Sequence, residues 1–160
     1  MERIKQIYEH ELWKFCYRSI QNLEQDRAFC RHDISHFLDV ARIAQIENME
    51  QKRQIPKAWI YAAALLHDIG KHLQYTKQIP HEQSSAVLAE SILRDCGFTE
   101  LERREILEAI LEHRNAETKE KQNLAGLIYR ADKRSRVCLF CAAKDACNWS
   151  EKKKNREIIV

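Results

Sequence analysis

Glycine and proline are scarce in this chain, which has three glycines and two prolines among 160 residues. Glycine-rich phosphate loops and the nucleophile elbow of α/β-hydrolases need glycines at fixed spacings, which three widely separated glycines cannot supply. A shortage of turn-forming residues, together with many alanines, leucines, glutamates and lysines, favours helices. The sequence therefore excludes Rossmann, P-loop and α/β-hydrolase folds and predicts an all-α fold, a compact helical bundle.

The chain length suits a single domain, because a chain of about 150 residues buries roughly 70% of its unfolded surface on folding. The longest uninterrupted apolar run covers residues 58–66, whereas a membrane-spanning helix needs about 20 residues. The N-terminus is charged and lacks the apolar block of a secretion signal. We therefore expect a soluble, cytoplasmic protein. The formal net charge of +3 is too small to imply a nucleic-acid partner by itself.

Hydrophobic spacing and capping residues predict six helices. They cover residues 3–23, a segment from 33, a segment from 56, and residues 82–95, 99–113 and 124–143. Gly70 is expected to cap the C-terminal end of the third helix. Residues 99–102 have the pattern of a capping box at the start of the fifth helix. The charged end of the chain, 151–156, is expected to fray.

Four residues with metal-binding side chains lie on or beside the apolar faces of three predicted helices. His36, His67 and Asp132 are each spaced three or four positions from apolar residues of their own helix, so they point inward. Asp68 directly follows His67. A buried aspartate costs on the order of several kcal/mol unless it is paired, hydrogen-bonded or bound to a metal. Imidazole and carboxylate ligands suit Mn, Fe, Ni or Zn, although any one of these histidines taken alone is more often a hydrogen-bonded core residue.

This ordered set resembles the metal sites of the HD-domain phosphohydrolases. The similar segments are SHFLDVAR at 35–42, AALLHDIGK at 63–71 and ADK at 131–133. The resemblance covers about residues 30–136. It implies a single HD domain over 1–160, an all-helical bundle in which 137–160 is a cysteine-containing C-terminal extension. It also implies metal-dependent hydrolysis of a phosphate ester or anhydride of a nucleotide, with the metal held by His36, His67, Asp68 and Asp132.

Departures from the family pattern narrow the resemblance. Where guanosine-tetraphosphate hydrolases have an acidic pair, this chain has Lys71, His72 and Leu73. Where cyclic di-GMP phosphodiesterases have paired histidines and a Gly-Tyr-Pro motif, it has the single His113. It remains similar to small standalone bacterial HD hydrolases, a group that resembles the diadenosine tetraphosphate hydrolases. The alternative is a non-catalytic, metal-containing nucleotide-binding or regulatory module.

Further candidates surround this set. In dinuclear HD proteins, histidines in the order of His81 and His113 complete a second metal site, and phosphate binding or helix capping is the alternative role. Asp68 is expected to orient or deprotonate a water molecule, and Lys71 to assist catalysis by neutralising phosphate charge. The candidate substrate-binding residues are Lys71, His72, Arg114 and His32.

Two weaker interpretations come from other motifs. Residues 32–36, HDISH, resemble the HExxH motif of metalloproteases, and on a helix this spacing puts His32 and His36 on one face. Aspartate is shorter than the glutamate of that motif, however, and no third ligand follows. Nucleic-acid binding would use the basic residues near the C-terminus, namely Arg130, Lys133, Arg134, Arg136 and residues 152–154.

Six cysteines in a chain without a secretion signal are expected to be reduced. Cys138 and Cys141 are neighbours at i,i+3 on the predicted sixth helix, and Cys147 follows. Cys30 precedes the second helix, which the metal set brings close to the sixth. Cys30, Cys138, Cys141 and Cys147 are therefore candidates for a structural zinc or iron–sulfur site, with free packed thiols as the alternative. Cys16 and Cys96 are expected in the core.

Overall fold

The computed structural model describes residues 1–158 of the chain. These residues form α-helices and one 3₁₀ helix (Ala116–Glu120) without any strand, which confirms the all-α prediction. The α-helices are α1 (Glu2–Glu9), α2 (Glu11–Leu23), α3 (Ile34–Glu50), α4 (Lys57–Leu66), α5 (Lys71–Lys77), α6 (His81–Asp95), α7 (Glu100–Glu112) and α8 (Leu124–Arg134). Residues 159 and 160 of the predicted extension lie outside the described residues. None of the described helices has the length and apolar character needed to cross a membrane.

The first predicted helix is two helices, because the chain turns at His10. The backbone of His10 is extended, with φ −64° and ψ 132°, and its side chain accepts a hydrogen bond from the backbone of Leu12 at the start of α2. This capping bond satisfies one of the donors that a new helix leaves without an intrahelical partner. The prediction of one continuous helix over 3–23 is therefore wrong.

Gly70 does not cap the C-terminal end of a helix. Its φ of −79° is an ordinary right-handed value, and it precedes α5, a helix that the sequence prediction omitted. A Cβ atom at this position would lie 2.3 Å from the Ser84 Oγ and 2.4 Å from the Ser85 backbone nitrogen. Glycine is needed here because α6 packs directly against the backbone that follows His67 and Asp68.

The sixth predicted helix is shorter than expected, since α8 ends at Arg134. The side chain of Asn155 donates hydrogen bonds to the carbonyl oxygens of Lys133 at 2.7 Å and Arg136 at 2.8 Å. These bonds satisfy carbonyl groups that a helix end leaves free, and the chain continues in turns. Cys138 and Cys141 consequently lie on turns and not on a helix.

The core positions the ends of three helices. The apolar residues 62–66 of α4 are buried, and α4 packs against α1, α3, α7 and α8. Helices α3 and α8 are joined by the buried carboxylate of Glu47, which accepts hydrogen bonds from Arg130 at 2.6 Å and Arg134 at 3.0 Å. The capping box predicted at Thr99 and Glu102 is present at the start of α7. This packing brings the start of α3, the end of α4 and the last turns of α8 together.

Candidate metal centre

Four buried side chains meet where α3, α4 and α8 converge. His36 is in the first turn of α3, His67 and Asp68 follow the last residue of α4, and Asp132 is on α8. One ligand atom from each residue lies within 4.8 Å of the others. His67 Nε2 is 3.1 Å from Asp68 Oδ2 and 3.7 Å from Asp132 Oδ1, and His36 Nε2 is 3.5 Å from each of these oxygens. The structure thus brings the whole predicted set together.

Asp68 directs its two oxygens toward two different groups of histidines. Oδ2 faces His36 and His67, whereas Oδ1 is 3.0 Å from His81 Nε2 and 3.7 Å from His113 Nε2. The Nε2 atoms of His81 and His113 are 3.1 Å apart. Asp68, His81 and His113 form a second buried group with ligand atoms within 4.8 Å of one another. One carboxylate therefore belongs to two candidate metal sites.

Two of the histidines are oriented by the same local contact. The Nδ1 atom of His67 is 2.8 Å from the Ala64 carbonyl oxygen, and that of His113 is 2.6 Å from the Ile110 carbonyl oxygen. A carbonyl only accepts, so Nδ1 carries the proton in both rings. Both histidines follow the last residue of a helix, where carbonyl groups lack intrahelical partners. The bond turns each Nε2 toward the centre, as is usual for metal-binding histidines.

Ser135 orients His36 and connects it to Asp132. The Ser135 hydroxyl donates to the Asp132 carbonyl oxygen at 2.7 Å and can accept from His36 Nδ1–H at 3.1 Å. The free nitrogen of His36 is therefore Nε2, which faces Asp68 and Asp132. In this structure the Arg136 guanidinium lies 3.1 Å from that nitrogen, so a positive group already occupies the side of the ring where a metal ion would bind.

The donor set fits a divalent cation. His67 Nε2 and Asp68 Oδ1 are buried without a hydrogen-bond partner of good geometry, and such unsatisfied atoms are costly in a protein interior. His81 contacts both the Gln74 amide oxygen and the Lys71 ammonium through Nδ1, and its Nε2 faces that of His113 beside a carboxylate oxygen. Two imidazole nitrogens at this separation repel one another unless a proton or a metal cation lies between them. Both groups of ligands could therefore hold a metal.

The electrostatic field of the centre favours positive charge. Burial would by itself lower the pKa of His67, but the neighbouring Asp68 and Asp132 raise it to about 10. Burial would raise the pKa of both carboxyl groups, but nearby positive charges hold them well below their ordinary range. Burial lowers the pKa of His36 to about 4. The two carboxylates thus retain their negative charge, and a metal ion would compete with the proton on His67.

Comparison with known proteins identifies this arrangement. A family model described as "HD domain" matches residues 33–137, a range that contains all four residues of the first group. The chain belongs to the HD domain family. An uncharacterized protein of Clostridium beijerinckii is 44% identical over 158 residues, which cover 99% of each chain.

The fold of this HD domain is also similar to a solved structure. The crystal structure, at 1.45 Å resolution, is that of a predicted HD superfamily hydrolase from an uncultured Thermotogales bacterium. The TM-score is 0.67 and the match covers 92% of this chain and 81% of that one. With 21% sequence identity, this similarity supports the HD superfamily fold.

His32 adjoins the centre of the HD domain but does not form a helical metal motif with His36. Helix α3 begins at Ile34, so His32 precedes the helix, and Asp33 caps it by accepting a hydrogen bond from the His36 backbone at 2.9 Å. The two histidines therefore do not share a helix face, and Asp33 serves as a capping residue. The structure gives no support to the metalloprotease interpretation.

A buried carboxylate holds His32 in place. Glu24 accepts hydrogen bonds from the ring and the backbone of His32 and from the Tyr75 hydroxyl. Burial raises the pKa of Glu24, but these hydrogen bonds outweigh it and lower the pKa to about 2. The opposite ring nitrogen of His32 lies 3.6 Å from Asp68 Oδ2. His32 thus contributes a fixed imidazole beside Asp68.

A cavity of about 910 Å³ opens onto the centre of the HD domain. Asp68, Lys71 and Arg114 are among the residues that line it. The Lys71 ammonium is 3.3 Å from His81 Nδ1, and burial lowers the pKa of Lys71 although Asp68 opposes this effect. His72 does not line the cavity: its Nδ1 contacts the Ile69 carbonyl oxygen and its ring packs near Phe15. The structure does not place His72 where it was predicted to bind substrate.

The basic residues near the C-terminus are largely engaged within the HD domain. Arg130 and Arg134 donate to Glu47. Lys133 Nζ is 2.5 Å from Asp132 Oδ2, and the side chain of Lys154 bonds to Glu151 and to the Lys144 carbonyl oxygen. These contacts give no support to the weaker interpretation of nucleic-acid binding.

The cysteines separate into two groups. Cys16 and Cys96 are buried in the core, as predicted. The other four, Cys30, Cys138, Cys141 and Cys147, line the same cavity as Asp68. The last three lie in turns after α8 and not on a helix, and Cys138 and Cys141 are joined across one turn by a hydrogen bond from the Cys141 backbone N–H to the Cys138 carbonyl oxygen at 3.3 Å.

Sequence analysis missed the residues that orient the ligands. Ser135 lies three positions after Asp132 and could have been considered as its neighbour on a helical surface. Glu24, Tyr75 and Gln74 offered no comparable signal, because they reach the centre from α5 and from the end of α2. Their roles depend on the tertiary packing.

Proposed function

We propose that this HD domain is a metal-dependent phosphohydrolase that cleaves a phosphate ester or anhydride bond of a nucleotide. The observation that carries the proposal is the position of Asp68, whose two oxygens face two histidine groups at the base of a cavity with basic residues. Two adjacent metal sites are a common arrangement for phosphoryl displacement. The structurally similar Thermotogales protein is described as a predicted HD superfamily hydrolase, which is consistent with this activity.

The ligand assignment follows from the two groups. His36, His67, Asp68 and Asp132 would hold one divalent ion, and Asp68, His81 and His113 a second. Imidazole and carboxylate donors suit Mn, Fe, Ni or Zn. When bound, such an ion lowers the pKa of a water molecule to about 7 and polarises a phosphoryl oxygen.

The remaining roles belong to side chains of the chain itself. Asp68 would orient the attacking water or accept its proton, because its oxygens lie at the junction of both groups. Lys71, beside His81, and the half-exposed Arg114 line the cavity and would bind phosphate oxygens. His32, fixed by Glu24, would line the pocket next to the reacting phosphate.

The activity test uses protein freed of metal with a chelator and reloaded separately with Mn²⁺, Fe²⁺, Ni²⁺ or Zn²⁺. Three probes distinguish the bond types: p-nitrophenyl phosphate for a monoester, bis-p-nitrophenyl phosphate for a diester and diadenosine tetraphosphate for an anhydride. We expect hydrolysis of the nucleotide probe that depends on added metal. Protein that binds metal and nucleotide but cleaves none of the probes would instead be the non-catalytic nucleotide-binding module.

A matched pair of variants tests the phosphate-binding residues. Arg114→Ala should raise KM for the anhydride probe more than it changes kcat, because Arg114 lines the cavity. Arg104→Ala is the control. Arg104 is an arginine of α7, the helix that precedes Arg114, and its side chain is 72% exposed and lies outside the cavity. Equal KM values for the two variants would remove Arg114 from the substrate site.

A further inference from the structure

The segment that follows α8 has no hydrophobic core of its own. Residues 136–158 contain turns and bends but no helix, and none of these residues is buried. The apolar side chains of Val137 and Phe140 are 67% and 83% exposed. A segment that buries so little apolar surface cannot offset the entropy of its own ordering, and small protein units of this kind usually depend on disulfides or metals.

Few side-chain hydrogen bonds attach this segment to the bundle. Asn155 bonds to the Lys133 carbonyl oxygen of α8 at 2.7 Å and Arg136 to the Arg31 carbonyl oxygen at 2.8 Å, whereas the bond from Lys154 to the Lys144 carbonyl oxygen lies within the segment. The net contribution of each such hydrogen bond to stability is small, because it replaces a bond to water. The segment nevertheless forms part of the cavity wall, to which it contributes Lys144, Trp149 and Asn155. Something further must hold 137–147 against the bundle.

Four thiols lie where such a link is needed. Cys30 precedes α3, while Cys138, Cys141 and Cys147 are on the turns of the segment, and all four line one cavity. Although Cys30 is exposed, partial desolvation of its thiol raises the pKa, Arg136 lowers it, and the charges of the other three cysteines raise it further. The three thiols of the segment are therefore close enough to act electrostatically on the one thiol supplied by the bundle.

The surroundings suit a negatively charged metal complex. Four thiolates around one Zn²⁺ carry a net charge of about −2. Arg27, Arg136, Lys144 and Lys152 line the same cavity and would offset that charge. Among the described residues, the groups with ligand atoms within 4.8 Å of one another contain only His and Asp. No three of the four thiols lie that close to one another, so binding of one ion would draw the turns inward.

We propose that Cys30, Cys138, Cys141 and Cys147 bind one zinc ion in a closed tetrathiolate site that fastens segment 137–147 to the start of α3. Zinc with four thiolate ligands is tetrahedral and structural, because no position remains open for substrate. This site is separate from the His and Asp centre, shares no ligand with it and does not depend on the proposed hydrolase activity.

The test measures zinc per chain in the purified full-length protein and in two variants. Cys141→Ser should lose one zinc ion per chain relative to the unsubstituted protein. Cys96→Ser, a substitution in the core, should lose none, because Cys96 is buried at the end of α6 and does not line the cavity. Equal zinc content in all three proteins would overturn the proposal.

Cobalt substitution provides a second measurement that the His and Asp centre cannot mimic. Protein loaded with Co²⁺ should show thiolate-to-cobalt charge-transfer absorption that His67→Ala retains and Cys141→Ser loses. Cys30→Ser, at an exposed position, gives the same comparison if Cys141→Ser fails to fold. Absence of this absorption in the unsubstituted protein, disulfides among the four cysteines, or acid-labile sulfide would each overturn the zinc assignment.

Discussion

The His and Asp centre and the cysteine-rich segment 137–147 line one cavity, but they are built in different ways. The ligands of the centre are buried at the ends of helices, and hydrogen bonds to Ala64, Ile110 and Ser135 orient three of the rings. The cysteines after α8 lie on turns without a buried neighbour in the segment. The core thus preorganises the first region, whereas none of the described residues of the second region is buried.

This difference predicts opposite responses to metal. We expect a preorganised centre to keep its geometry when the ion is removed, because its ligands are carried by α3, α4 and α8, which pack against one another. A segment without a core is expected to change its shape when the metal ion that links it to the bundle is removed. Substitutions in the centre should therefore change chemistry without changing the fold, and substitutions of the cysteines should do the reverse.

The largest effect is expected for Asp68→Ala. Because Asp68 belongs to both ligand groups, its loss should reduce metal binding at both and abolish hydrolysis. Helical content should remain nearly unchanged, which circular dichroism together with elemental analysis will show. Asp39→Ala is the control, since Asp39 is a half-exposed aspartate of α3 paired with Arg42. An active, fully metal-loaded Asp68→Ala protein would contradict the assignment of the centre.

A smaller effect is expected for His113→Ala, which removes a ligand from the second group only. Metal content should fall by about one ion per chain, as expected for one site of a two-metal centre, while the first group keeps its ion. Activity should fall without disappearing. Unchanged metal content combined with a raised KM would show that His113 contacts phosphate instead.

Ser135→Ala should have a more moderate effect, because Ser135 touches a ligand and not the metal. Loss of its hydroxyl frees the His36 ring, and changes of this kind typically cost about 10–100-fold in metal affinity or activity. Titration of metal-free protein with Mn²⁺ measures the change. Ser19→Ala is the control, since the exposed Ser19 hydroxyl bonds only to the carbonyl oxygen of Phe15 on its own helix. Equal affinities for the two variants would assign no orienting role to Ser135.

The sequence was most informative where helical periodicity and ligand chemistry coincide. His36, His67 and Asp132 have apolar neighbours at helical spacing, and Asp68 follows a ligand directly, so the set could be predicted before any packing was known. The fold class was predictable for a similar reason, because the shortage of glycine and proline acts along the whole chain.

Features decided by tertiary contacts could not be predicted. The end of α8 depends on Asn155, more than 20 positions further along the chain, and the requirement for glycine at position 70 comes from Ser84 and Ser85 on α6. Glu24 fixes His32 only because α2 passes beside the start of α3. The spacing of residues along the chain does not reveal such contacts. The helix ends and the orienting residues were therefore the parts that sequence analysis missed or placed wrongly.

The smallest expected effect on activity, and the sharpest test of the second region, comes from Cys30→Ser compared with Cys16→Ser. Burial alone predicts that Cys16→Ser is the more costly change, because it places a hydroxyl at a fully buried position, at about 1–3 kcal/mol. Cys30 is exposed, and surface substitutions usually change the free energy of unfolding by no more than about 0.5 kcal/mol.

A zinc ion bound only by the folded protein reverses this order of stability, since its binding free energy adds to the free energy of unfolding. Unfolding by urea should therefore show that Cys30→Ser is the less stable variant in zinc and the more stable one in chelator. Both variants lose the metals of the His and Asp centre in chelator, so the difference between them reports on the thiolate site alone. If Cys16→Ser were the less stable variant in zinc as well as in chelator, the result would contradict the thiolate site.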